Sequence, residues 1–222
     1  MFFTDFVNNL SKDDLENYHK SVVMNMEGEE AEKARVLYYK KSLRSMGDNV
    51  KIGRAVKIIN PQFVSLGNNV TINDDCTLIA RDEGGISLDD GVKLMERVYL
   101  DTEGGDGYIK IGKSVYIGTG CTLHGHQGLE IMDDSLLAQN ITITPYSHIF
   151  NDPSQNIIDQ GGHMRKITIG KDCYIGMGSI VLYSADINDG SVIGSGSVVV
   201  HTIPPYSVAV GVPAKVIKKR GE

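Results

Sequence analysis

The imidazoles of this chain, and a knot of cations near its end, are the residues whose type and spacing best suit chemistry at neutral pH. Pro145-Tyr146-Ser147-His148 sets a histidine just ahead of a polar stretch from about Phe150 to Lys166, which contains Asn151-Asp152-Pro153-Ser154 and Gly161-Gly162. Histidine titrates near neutrality. It can take a proton from a hydroxyl or amine attacking a carbonyl and return one to the leaving group, with no serine or cysteine nucleophile needed. Spacing alone leaves His148 as either such a base or a solvated loop residue. Leu123-His124-Gly125-His126 puts two imidazoles on one side of an extended segment, a pattern open to a metal or to a substrate-side role. His19 and His163 read as surface residues. Lys215, Lys218, Lys219 and Arg220 crowd together in a chain whose 28 acidic and 22 basic residues leave a formal charge of -6. They form either a local anion site or a solvated basic tail.

The same charge balance argues against a nucleic-acid surface spread over the whole molecule. Met1-Phe2-Phe3-Thr4-Asp5 lacks the basic start of a secretory leader, and no apolar run reaches the ~18 residues of a membrane span. A soluble, cytoplasmic protein is expected. Cys76, Cys121 and Cys173 are odd in number and far apart, in none of the spacings of a zinc cluster or disulfide framework. A reducing compartment fits them.

Residues with such roles need a rigid carrier, and the sequence supplies one through a fixed interval. From Ile169 in steps of six come Ile175, Val181, Ile187, Ile193 and Val199, all aliphatic. Four places after each of the first five stand Cys173, Ser179, Ala185, Ser191 and Ser197, all small. The same step recurs in Leu66, Ile72, Leu78, in Leu88, Leu94, Leu100, in Ile111, Ile117, Leu123, and in Ile131, Leu137, Ile143. This period belongs to neither a helix nor a simple strand. It marks a parallel β-helix in which each repeat is a short strand and a corner, three of them closing a coil of roughly eighteen residues. Glycine directly after the aliphatic residue, as at Gly53, Gly112, Gly170 and Gly176, suggests corners that exclude a Cβ.

Residues 1–47 differ in kind. Ser11-Lys12-Asp13-Asp14 opens a helix, and Val36, Tyr39, Leu43 and Met46 recur at helical spacing, so two helices are expected to cap the open end of the coil. The solenoid is assigned to 48–203 and a tail packed on the coil to 204–222. Three segments break the hexad: Arg81 to Gly85, Asp101 to Tyr108, and the longer excursion at about 150–166. Long loops on a rigid scaffold are where binding and catalysis concentrate.

Three stretches together resemble the galactoside and maltose O-acetyltransferase branch of the hexapeptide-repeat acyltransferases, and more closely their polysaccharide O-acetyltransferase relatives. These are Ala138 to Phe150 with the following loop, Ile167-Thr168-Ile169-Gly170-Lys171-Asp172-Cys173-Tyr174-Ile175-Gly176, and Ile203-Pro204-Pro205-Tyr206 through Val210-Gly211-Val212-Pro213-Ala214-Lys215-Val216-Ile217. The likeness is specific over about 109–219 and generic over 50–108. It implies a left-handed coil, although right-handed crossovers are the usual preference. It further implies acetyl-CoA as donor, no metal, a saccharide or small-molecule acceptor, and a homotrimer with sites between neighbouring coils. On the matching positions it makes His148 the general base and gives the backbone N–H of Met177 to the oxyanion. Tyr174 stands where relatives carry tryptophan beside the pantetheine, and His201 where they commonly carry lysine. Gly176, Ser195, Gly211, Lys215 and Lys218 fall to the cofactor side, and we place His124, His126 and Asn140 on the acceptor side. The expected reaction is O-acetylation of a sugar or polysaccharide hydroxyl. The alternatives are N-acetylation of a nucleotide-linked amino sugar, or a metalloenzyme like the γ-class carbonic anhydrases, whose close histidine pair this chain lacks around His148 and His163.

Overall fold

A computed structural model describes residues 9–103 and 106–222. The reading of Met1 to Asp5, and the middle of the Asp101 to Tyr108 break, lie outside the described residues. Each hexad forms a strand of two or three residues and a turn, and equivalent strands of successive coils pair in parallel to build three flat faces. Ser45–Met46, Val64–Leu66, Ile86–Leu88, Ile109–Ile111, Leu129–Ile131 and Ile167–Ile169 make the first. The second begins at Lys51–Ile52 and runs through Tyr174–Ile175, Val192–Ile193 and Ser207–Val210 to Lys215–Lys219; the third runs from Lys57–Ile59 through Thr142–Thr144 to Val198–Val199. The chain is thus a β-solenoid of hexapeptide repeats with two N-terminal helices.

Register explains why the aliphatic series is unbroken. Ile131 pairs with Ile169, Leu137 with Ile175 and Ile143 with Val181, so like stacks on like down the axis. Ile169, Ile175, Val181, Ile187, Ile193 and Val199 are all fully buried, as are the small residues Ser179, Ala185, Ser191 and Ser197. Truncating one of the large residues would leave a cavity that a closed coil cannot collapse, at a cost of about 2–5 kcal/mol. Glycines after the aliphatic position are required by close approach. A Cβ on Gly170 would fall 2.4 Å from Asp189 Oδ1 of the next coil. The three cysteines are buried and unpaired, and burial pushes the Cys76 and Cys121 thiols up to about 12 and about 11.

The helices are Lys12–Ser21, capped by Ser11 Oγ accepting from Asp14 N–H at 3.2 Å, and Glu29–Ser42, with Glu29, Glu30 and Glu32 in its first turn. They close the solenoid by satisfying its first coil. The Arg35 guanidinium donates to Ile52 O at 3.0 Å, and Tyr39 Oη donates to Val56 O at 3.0 Å. Two expectations are corrected here. The helical pattern does not extend to Met46, which pairs with Leu66 in the first face because strand pairing outweighs the helical spacing. His19 is not a surface residue: its ring stacks on Tyr38 at 3.9 Å, leaving it 3% exposed.

All three hexad breaks fall at the same edge of the prism, between the third and first faces. The longest leaves the coil at Pro145 rather than near 150 and begins with a hairpin, Tyr146–His148 antiparallel to Gly162–Met164. Among the described residues no helix is long and apolar enough to cross a membrane.

Candidate active site

Because the breaks share one edge, they bring together side chains from coils far apart in sequence. Tyr146 Oη lies 3.2 Å from His148 Nδ1, and the two rings meet edge to face at 4.7 Å between centroids. His126 stacks on Tyr146 at 4.9 Å, and the ring of His124 is 6.1 Å from that of His126. One coil back, Glu103 places Oε1 2.9 Å from His124 Nδ1 and Oε2 3.4 Å from His126 Nε2. Burial pushes the His126 pKa down, outweighing the upward pull of Glu103. His148 itself is exposed at the mouth of the hairpin. The hairpin depends on Gly162, where a Cβ would sit 2.3 Å from Tyr146 Cζ.

Asp101 anchors the neighbouring corner. It is 1% exposed, with the Arg81 guanidinium donating to both carboxylate oxygens at 2.9 and 2.7 Å, Tyr99 Oη donating at 2.9 Å and Glu103 N–H at 2.8 Å. Burial opposes its charge, yet these donors hold the carboxyl below the usual range. Sequence reasoning missed Arg81, Tyr99, Asp101 and Glu103. The hexad breaks flagged their segments, but nothing in the spacing says that two breaks in successive coils stack.

The residues assigned to the cofactor lie mostly elsewhere, on the second face and its edge with the third. Tyr174, Val192, Val208 and Lys218 form one lateral row. Three strand spacings separate its ends, about 14 Å. Gly176 packs so closely on the next coil that a Cβ would fall 2.5 Å from Ser195 N, and Gly196 N–H donates to Met177 O at 2.8 Å. Gly211, at φ +103°, donates its N–H to Ser197 Oγ at 3.0 Å. Asn140 takes a left-handed corner, φ 57°, on this edge in the coil preceding Met177, away from His124 and His126. His201 is the converse: it follows Val198–Val199 onto the His148 edge and is exposed. Tyr174, Met177, Val212 and Ile217 leave an apolar strip open, at 42, 51, 72 and 60% exposure.

The cation cluster divides by contact. Arg220 donates to Asp172 Oδ2 at 2.8 Å and Lys219 Nζ to Pro205 O at 3.1 Å, so both serve the tail's own packing. Lys218 Nζ donates to the backbone carbonyl of Glu222. Lys215 has no polar partner among the described residues.

Comparison with known proteins agrees with this architecture. The profile described as bacterial transferase hexapeptide (six repeats) matches residues 166–201. A dTDP-4-amino-4,6-dideoxy-D-glucose acyltransferase of Escherichia coli is 30% identical over 179 residues, covering 81% of this chain and 83% of that protein. The galactoside O-acetyltransferase of Escherichia coli strain K12 is 35% identical over 113 residues, 50% of this chain and 54% of that protein. Like other relatives matched over this part, it is spanned over only about half its length. A crystal structure of a variant of AntD, an N-acyltransferase from Bacillus cereus, in complex with dTDP and coenzyme A superimposes with a TM-score of 0.60. It covers 90% of this chain and 92% of that one at 23% identity, a likeness of fold.

Proposed function

The chain belongs to the hexapeptide-repeat acyltransferases, and from that premise we propose that it moves an acetyl group from acetyl-CoA directly to a sugar or polysaccharide hydroxyl, with His148 as general base. The observation that carries this reading is the 3.2 Å approach of Tyr146 Oη to His148 Nδ1. With its proton on Nδ1, the imidazole donates to the phenol oxygen and keeps the Nε2 lone pair for the acceptor; a hydrogen-bond partner on the other ring nitrogen fixes the working tautomer.

The transfer balances without a covalent enzyme intermediate. The acceptor hydroxyl gives its proton to His148 Nε2 as its oxygen bonds to the thioester carbonyl carbon. The carbonyl oxygen becomes an oxyanion, for which the Met177 backbone N–H is the assigned donor. When the carbonyl re-forms, the C–S bond breaks and the sulfur leaves as the thiol with the proton His148 returns. On the donor side, Tyr174 and the glycine-rich edge at Gly176, Ser195 and Gly211 suit the pantetheine. Lys215 and Lys218 suit the phosphates of the nucleotide, and His201 completes the assigned set.

In one chain the His148 edge and the Met177 edge are different corners of the prism. A homotrimer in which one subunit's His148 edge meets its neighbour's Met177 edge would join the halves, and the exposed apolar strip beside Met177 supports such a contact. An amine acceptor on a nucleotide-linked sugar is the second reading, favoured by the extent of the likeness to the E. coli dTDP-amino-sugar acyltransferase. Thiol release from acetyl-CoA, measured across neutral sugars, oligosaccharides and nucleotide-linked amino sugars, separates the two. Release with hydroxyl acceptors alone is expected. Release only with amino sugars would install the second reading, and none with either would remove both.

A further inference from the structure

We infer that Glu103, His124 and His126 form a binding site for a divalent transition-metal ion of the zinc class, built at the corner beside Tyr146 and His148. These three residues are brought together by coil stacking, independently of the acetyl-transfer reading.

Placement comes first. His124 pairs with Asp101 of the preceding coil, and two residues further along each chain segment His126 stands over Glu103. Coil stacking therefore sets a carboxylate beside two imidazoles, one at the end of the strand Thr122–His124 and one in the turn that follows it. Gly107 packs tightly on this corner. A Cβ at Gly107 would fall 2.0 Å from Thr102 O and 2.5 Å from His126 O. Glu103 is also fixed from behind, its N–H donating to Asp101 Oδ1 at 2.8 Å, and Asp101 is itself gripped by Arg81. Glu103 takes φ +49°, a left-handed conformation unusual for a glutamate.

The geometry of the three groups points to a shared ligand rather than to mutual hydrogen bonds. Glu103 Oε1 is 2.9 Å from His124 Nδ1, yet that nitrogen is buried with no hydrogen-bond partner, because the oxygen lies off the direction in which its N–H would point. One donor atom from each of the three residues lies within 4.8 Å of the other two. Ligands held by zinc at about 2.0–2.1 Å in a tetrahedron sit about 3.3 Å apart, and the 2.9 and 3.4 Å contacts, one to each carboxylate oxygen of Glu103, fall on either side of that spacing. Two imidazoles and one carboxylate are a borderline donor set that suits zinc or cobalt(II) over calcium or magnesium, and three protein ligands leave a fourth position for water. A bound ion would tie Glu103 to the histidine corner and hold His126 against Tyr146.

The test uses the full chain stripped with a chelator and dialysed, titrated with Zn²⁺ by calorimetry and with Co²⁺ by visible absorption. One equivalent per chain, a cobalt d–d spectrum of low-symmetry four- or five-coordination and a rise in Tm are expected. Glu103→Gln and His124→Ala should each weaken binding by more than about tenfold, whereas His148→Asn should not change it. Circular dichroism and Tm of each metal-free variant establish that it is folded. Glu103→Gln is nearly isosteric, so it serves as the second variant should His124→Ala not fold. If the parent protein binds neither ion more tightly than about 10⁻⁴ M, or if folded Glu103→Gln binds as well as the parent, the three residues form only an ion-paired corner and the site does not exist.

Discussion

Lys215 and Lys218 project from the same face of their strand although they stand three positions apart, because Ile217 bulges out of register. Lys215 pairs with Val210 and Lys218 with Val208, while Val216 pairs with Ala209. Paired residues in an antiparallel ladder share a face. A regular strand would have sent the two ammonium groups to opposite sides. The bulge gathers them outward, Lys218 in the row of Tyr174 and Lys215 opposite Val210, two residues further along.

Replacing both lysines by alanine is therefore expected to raise KM for acetyl-CoA while leaving the acceptor KM unchanged, with the effect shrinking as salt rises. Initial-rate kinetics at two ionic strengths check it. An unchanged donor KM at low salt would overturn the assignment.

His148→Asn keeps size and some hydrogen bonding but cannot take the proton, so kcat should fall about 10²- to 10⁴-fold while coenzyme A still raises Tm. Tyr146→Phe removes the partner of Nδ1 and should cost about tenfold, in line with one lost hydrogen bond, without changing the donor KM. If His148→Asn stayed within about threefold of the parent with chemistry rate-limiting, His124 or His126 would become the candidate base.

Gly162→Ala tests the hairpin without touching either imidazole. Its Cβ would land 2.3 Å from Tyr146 Cζ, so Tyr146 must move and carry its contact with His148 along. A fall in kcat with little change in Tm is expected, since the hairpin lies outside the solenoid core. Parent-like kcat would mean that Tyr146 does not position the base.

His19 should make the N-terminal cap acid-labile. Burial, with Arg35 and Lys20 nearby, pushes its pKa down from 6.5 to about 4, and neither ring nitrogen has a hydrogen-bond partner. Between those values the unfolded chain holds a proton that the folded chain excludes, so stability is full above pH 6.5 and declines as pH falls toward about 4. Tm measured from pH 7.5 downward should show this decline, and His19→Phe should flatten it. Equal slopes in parent and variant would assign the decline to other groups.

Mixed oligomers test whether two chains share each site. The His148→Asn chain lacks one edge and the Lys215→Ala/Lys218→Ala chain is weakened at the other, so dissociating and reassembling them together should restore activity at low acetyl-CoA that neither has alone. Sedimentation equilibrium should give three times 24.2 kDa. A fully active monomer would defeat both expectations.

The solenoid and its core were readable before any coordinates, because a hexad repeats the same two inward positions in every coil and the period states which residues face the axis. Ile169 through Val199 and their small companions were legible for that reason, as was the helical cap from Ser11 onward. His148 and the cationic tail could be singled out as candidates, but which cations have partners was not readable: Lys218, Lys219 and Arg220 reach Glu222, Pro205 and Asp172, and the folding of the tail back on the coil sets those contacts. The tertiary structure alone stacked Arg81, Asp101, Glu103, His124, His126, Tyr146 and His148 along one edge, because contacts between coils join residues about 20 positions apart whose distance depends on the exact length of every turn between them. It likewise buried His19, since a helix of mixed polarity does not announce which face meets Tyr38.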